Sequence, residues 1–214
     1  MENKKIFRKE NIPNILTVIR AVLVPVFMVV IIFAPRGVYG EDMPSGEIIM
    51  RLVGAGLFGL ISLTDMIDGK IARKYNYVSD FGKFLDPLAD KILVFGAMIS
   101  LVTFMGGSEG IPYIFEICLI FATFIFFTRE IAVTSLRLLF SNKGGHALAA
   151  NFAGKMKTVF QMVFIIVALV EPIIWDLWIA TFVSMAIMAA MTVISGVIYF
   201  KEYVPLIMGK NAEK

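Results

Sequence analysis

Asp65, Asp68, Asp86 and Asp90 stand close together in a chain that is otherwise strongly apolar. Asp65 and Asp68 are three apart and Asp86 and Asp90 four apart, so on helices each pair shares one face. The stretch between the two pairs is short, so the helices are expected to run antiparallel with these ends adjacent. Four carboxylates across one helix packing distance repel strongly and cannot all stay ionised without a cation. A pair of divalent ions relieves that repulsion. Oxygen donors with no Cys or His nearby select Mg²⁺ or Mn²⁺ over Zn²⁺. Gly69 and Ala72 leave the helix face beside these carboxylates without bulk, and Gly82 does the same four residues before Asp86. Arg73 adds a planar guanidinium suited to phosphate oxygens. Two metals with one arginine make a phosphoryl-transfer site. A solvated acidic cap beside Lys70 and Lys74 would account for any one aspartate. It does not account for four at these spacings with two glycines and an arginine.

The composition names the medium that must hold such a site. Of the 214 residues 58% are hydrophobic and 17% charged, and the mean hydropathy is +0.82. A soluble domain is nearer half apolar and a quarter charged. Disorder is excluded, and so is a disulfide scaffold, since Cys118 is the sole cysteine. The chain reads as an all-α integral membrane protein forming one domain over 1–214. Residues 1–11 form an interfacial segment and 201–214 a cytoplasmic tail. A crossing needs about 20 apolar residues. Six segments approach that: 12–34, 47–63, 88–105, 111–127, 159–170 and 177–200. The fifth is short unless the polar stretch before it is also helical. No alternation of the kind a membrane barrel needs is visible.

Orientation follows from basic residues in the loops. With the N-terminus inside, the inner segments carry Lys4, Lys5, Arg8, Lys9, Lys70, Arg73, Lys74, Lys83, Lys143, Lys155, Lys157, Lys201, Lys210 and Lys214. The outer ones carry Arg36, with Arg51 near a helix start. Both termini are therefore expected in the cytoplasm, and the aspartates at the cytoplasmic face.

The pattern Asp65-x2-Asp68-Gly69-x2-Ala72-Arg73-x8-Gly82-x3-Asp86-x3-Asp90 resembles the signature of the CDP-alcohol phosphotransferases at all eight fixed positions. That resemblance implies six transmembrane helices, a homodimer and two metal ions per subunit at the cytoplasmic face. It also implies the reaction, in which an alcohol hydroxyl attacks the β-phosphate of a CDP-linked donor and CMP leaves. Carried over, Asp65, Asp68 and Asp86 are metal ligands, and Asp90 is a ligand, the base, or both. Gly69, Ala72 and Arg73 would line the CDP site, with Gly82 beside them.

Three further blocks, 11–20, Arg129-Glu130-Ile131 with Arg137, and 154–158, resemble the bacterial branch that joins CDP-diacylglycerol to sn-glycerol 3-phosphate. The residues agree with an anionic acceptor. Arg20, Arg129, Arg137, Lys155 and Lys157 all fall near inner helix ends, and Arg129 and Arg137 share a helix face. A cationic patch beside a metal site suits a second phosphate. The alternative is the inside bias itself, together with pairing of Arg129 to Glu130. Asn14 and Thr17 either bind the donor phosphates or cap the first helix.

Inositol phosphate and phosphatidylglycerol remain rival acceptors. A secondary transporter is the rival of another class, since intramembrane carboxylates often mark ion paths. Against it, all four aspartates lie at one face of the membrane. His146 and Cys118 are given no role, Trp175 and Trp178 fit an outer aromatic belt, and Glu116 and Glu171 lie toward the outer face. Membrane lipids are the expected surroundings, in a bacterial cytoplasmic membrane, and no nucleic acid is expected as a partner.

Overall fold

In lipid every backbone polar group must be satisfied inside a helix or a closed barrel, and a chain this apolar without the alternation of a barrel folds as helices. The computed structural model describes the backbone of residues 12–38, 42–75, 80–142, 152–174 and 178–207, and the side chains of 15–38, 42–64, 88–89, 91–137, 139, 152–174 and 178–204. The regular structure among them is α1 (Ile12–Ile32), α2 (Ser45–Tyr75), α3 (Asp80–Met105), α4 (Tyr113–Asn142), α5 (Phe152–Ile174) and α6 (Ile179–Ile207).

Among the described residues five helices are long and apolar enough to span: α1, α2, α4, α5 and α6. The chain is a multi-pass membrane protein. The third expected span falls on α3. Among the described residues its apolar part is Lys91–Met105. Helix also outruns the apolar segments. α2 continues past Leu63 to Tyr75, α4 past Phe127 to Asn142, and α5 starts at Phe152 and so includes the polar stretch before Val159. The stretch expected as a tail from Lys201 begins as the end of α6. Residues 1–11 and 208–214, with His146 and Trp175, lie outside the described residues.

Contacts cluster the chain into two units, Met1–Gly110 and Ile111–Lys214. In the first, α1 packs against both α2 and α3. Its buried stripe is Thr17, Arg20, Val24, Phe27 and Ile31, at three- and four-residue spacing. Small residues let the backbones approach. A Cβ on Gly54 would stand 2.3 Å from Ile31 Cδ1, and one on Gly96 would stand 2.7 Å from Val24 and 3.1 Å from Met28. Phe27 and Phe58 meet at 5.9 Å between ring centroids. The contacts 31 with 54 and 27 with 58 fix an antiparallel register of α1 on α2. Arg36, just past α1, donates to the carbonyl of Thr103 at 3.2 Å, so α3 lies parallel to α1.

In the second unit α6 packs against α4 and α5. Phe115, Trp178 and Phe182 cluster at one end, with centroids 5.8–6.4 Å apart. Val133, Tyr199 and Tyr203 form the core at the other. Ser62, Ser100, Thr123, Thr134 and Thr192 each donate to the carbonyl four residues earlier, which satisfies a hydroxyl inside an apolar helix.

Candidate active site

The first unit has two polar ends of different kinds. At the α2 N-terminus, Glu47 is buried and fully engaged. Its Oε2 accepts from the Gly37 amide at 2.5 Å, and its Oε1 from Arg51 Nε at 2.7 Å. The Arg51 guanidinium lies 4.7 Å from the Phe104 ring centroid, and that of Arg36 5.6 Å from it. Loop, α2 and α3 are thus tied together by groups that satisfy one another.

At the other end Thr17 and Arg20, 0% and 1% exposed, are buried on the α1 face that packs within the unit. A guanidinium at that depth requires anionic or polar neighbours. The helix segments that arrive at this end are the last turns of α2, carrying Asp65, Asp68, Gly69, Ala72 and Arg73, and the first turns of α3, carrying Gly82, Asp86 and Asp90. The side chains of these eight residues, and that of Asn14, lie outside the described residues.

The second unit gathers most of the basic residues singled out in the sequence. Glu130 Oε1 accepts from Arg129 Nη1 at 2.5 Å and from Lys157 Nζ at 2.6 Å, and Lys157 Nζ lies 4.7 Å from the Phe126 ring centroid. The pairing of Arg129 with Glu130, weighed as an alternative to phosphate binding, does form. Arg129 Nη2 donates to Ser195 Oγ, and Arg137 Nη2 donates to the Tyr199 hydroxyl. Both guanidiniums lie against the Tyr199 ring, at 5.3 Å for Arg129 and 4.9 Å for Arg137, as their shared face on α4 requires. Among the described residues Arg129 Nε and Gln161 Nε2 are buried without a hydrogen-bond partner. Arg137 and Lys155 are exposed, while Lys157 is buried. Arg20 belongs to the first unit.

Beside the cluster, a groove of about 420 Å³ runs between α4 and α6, lined by Phe124, Thr128, Arg129, Val193, Gly196, Val197, Phe200 and Lys201 among others. Sequence reasoning missed Ser195 and Tyr199. Both sit in an apolar run, and their partners are more than sixty residues away. Glu171, expected to stand apart from the chemistry, caps α6. It accepts from the Ala180 amide at 2.7 Å, from the Thr181 amide at 2.6 Å and from the Thr181 hydroxyl.

The CDP-alcohol phosphatidyltransferase family matches residues 10–197 of the chain. A CDP-diacylglycerol–glycerol-3-phosphate 3-phosphatidyltransferase of Bacillus subtilis is 37% identical over 198 residues, 90% of this chain and 94% of the relative. A probable phosphatidylglycerophosphate synthase of Mycobacterium tuberculosis is 36% identical over 192 residues, covering 90% and 81%. A 3-phosphatidyltransferase of Rickettsia bellii, named like the first, is 35% identical over 205 residues, covering 90% and 94%.

Proposed function

The chain belongs to the CDP-alcohol phosphatidyltransferase family, and from that premise we propose that it transfers the phosphatidyl group of CDP-diacylglycerol to sn-glycerol 3-phosphate, giving phosphatidylglycerophosphate and CMP. The acceptor is the one named for the Bacillus and Rickettsia relatives. One observation carries the reading of the site, namely the register of α1 against its neighbours. Pairs 31/54 and 27/58, continued along α2, bring position 65 level with Arg20 and position 68 level with Thr17. On the parallel partner, Gly96 beside Val24 and Met28, continued down α3, brings position 90 level with Arg20 and 86 near Thr17. The two buried polar residues of α1 therefore stand at the level of all four aspartates, which supports a buried, charged centre there.

Enzymes of this family are generally divalent-metal dependent. The donor set of four carboxylates, with neither thiolate nor imidazole, fits a hard divalent ion. Asp65, Asp68, Asp86 and Asp90 would hold two Mg²⁺ (or Mn²⁺) ions. Bound there, the ions supply charge neutralisation of the pyrophosphate and of the departing CMP. The residues do the rest. Gly69, Ala72 and Gly82 leave room for CDP, and Arg73, Asn14 and Thr17 bind its phosphates. Asp90 takes the proton from the acceptor hydroxyl as its oxygen bonds to the β-phosphorus and the bond from that phosphorus to the CMP oxygen breaks. Arg20, Arg129, Arg137, Lys155 and Lys157 hold the acceptor phosphate so that the hydroxyl lies in line. Arg129 and Lys157 already share Glu130, so the exposed Arg137 and Lys155 are the more available of the five. The same reading has α3 as a sixth crossing, completed by its polar half within the protein. It has both termini and the site at the cytoplasmic face of a bacterial membrane, and a homodimer of one family domain spanning both units.

The test is CMP release by purified protein in detergent with CDP-diacylglycerol and Mg²⁺. Glycerol 3-phosphate, inositol phosphate, serine and phosphatidylglycerol are supplied separately, with EDTA as control. Release with glycerol 3-phosphate alone, abolished by EDTA, is the expected result. Release with another alcohol would keep the chemistry and overturn the acceptor. Release with none would overturn the enzyme.

A further inference from the structure

We infer that Tyr199 is a positioning residue for the acceptor phosphate, acting through Arg137 and Arg129. The inference rests on the acceptor reading above. Two guanidiniums on one face of α4 repel each other, and a phosphate site needs both aimed at one place. The electron-rich face of an aromatic ring offers a common attraction that neither loses to the other. Tyr199 supplies that face at 5.3 Å and 4.9 Å, and its hydroxyl accepts from Arg137.

The two arginines depend on it unequally. Arg129 is also held by Glu130 and Ser195. Arg137 is exposed, and among the described residues the polar group that holds it is the Tyr199 hydroxyl. A free arginine would spread over many rotamers, and fixing its fork in advance lowers the entropy lost when an oxyanion binds. Tyr199 is itself fixed. It is 2% exposed and stacks on Tyr203 at 5.7 Å between centroids. Its hydroxyl passes so near Gly154 that a Cβ there would stand 3.3 Å from it. The glycine of α5 leaves the space in which the tyrosine hydroxyl meets Arg137.

The experiment measures CMP release while varying each substrate in turn for wild type, Tyr199→Phe, Tyr199→Leu, Arg137→Ala and Arg137→Ala/Tyr199→Phe. Tyr199→Phe keeps the ring and removes the hydroxyl. Its KM for glycerol 3-phosphate should rise about tenfold, the size of one charge-assisted hydrogen bond. Its kcat and its KM for CDP-diacylglycerol should stay near wild type. Tyr199→Leu should raise the acceptor KM further. In the Arg137→Ala background Tyr199→Phe should add nothing, because its effect runs through that arginine. An unchanged acceptor KM in Tyr199→Phe overturns the inference. So does an equal rise in both KM values, or full additivity with Arg137→Ala, since a merely structural role would give either. If Tyr199→Leu aggregates on gel filtration, Tyr199→Phe and the double variant still decide. Wild type without glycerol 3-phosphate-dependent release would sink the acceptor reading itself. Wild-type turnover with an unmoved Tyr199→Phe would sink only this inference.

Discussion

Glu47 and Arg51 at one end of the first unit, and Thr17 and Arg20 at the other, are all buried polar residues, yet they differ in what arrives beside them. Glu47 has a partner at each oxygen, and Arg51 fills the space over Phe104. Nothing in that arrangement asks for a ligand. Thr17 and Arg20 lie where the aspartate-bearing ends of α2 and α3 arrive, in a register that levels them with positions 65, 68, 86 and 90. The second unit repeats the contrast. Glu171 is consumed in capping α6, whereas Arg137 stays exposed with its guanidinium braced on Tyr199. On the reading proposed above, charge satisfied by its neighbours is architecture and the exposed Arg137 serves the acceptor.

Substitutions can break that contrast. The largest effect belongs to Asp90→Asn, which should lower turnover by about 10²–10⁴-fold, the usual contribution of a positioned base, while CDP-diacylglycerol still binds. Loss of donor binding in that variant would instead make Asp90 a metal ligand first. Next comes Arg51→Ala. Stripping one partner from a buried ion pair costs about 3–5 kcal/mol, so thermal unfolding in detergent should move down markedly with both KM values unchanged in the surviving enzyme. Arg137→Ala should do the opposite, raising the acceptor KM about tenfold with little change in melting or donor KM. Smallest is Glu171→Gln, which weakens the α6 cap by about 1 kcal/mol and should appear only as a modest drop in melting temperature.

The sequence made the helical class and the approximate places of the helices legible, because apolar runs are local signals. Helix ends were less legible. An apolar run marks the part that meets lipid, while backbone hydrogen bonding carries α2, α4 and α6 on through polar residues. Tyr199 was out of reach for another reason. An aromatic residue in an apolar helix looks like packing until the fold brings Arg129 and Arg137 to it from α4. The spacing of Glu47 and Arg51 does carry a local signal, four apart on α2, whereas the bond from Lys157 to Glu130 joins two helices and carries none.

The most direct test of the contrast is thermal unfolding of wild type, Asp68→Asn and Arg51→Ala, each with Mg²⁺ plus CDP-diacylglycerol and with EDTA. A ligand bound only by the folded state raises stability by mass action. The account predicts that Arg51→Ala melts lower than wild type yet keeps the ligand-dependent rise, and that Asp68→Asn loses the rise. A rise that survives Asp68→Asn, or vanishes in Arg51→Ala, would contradict it.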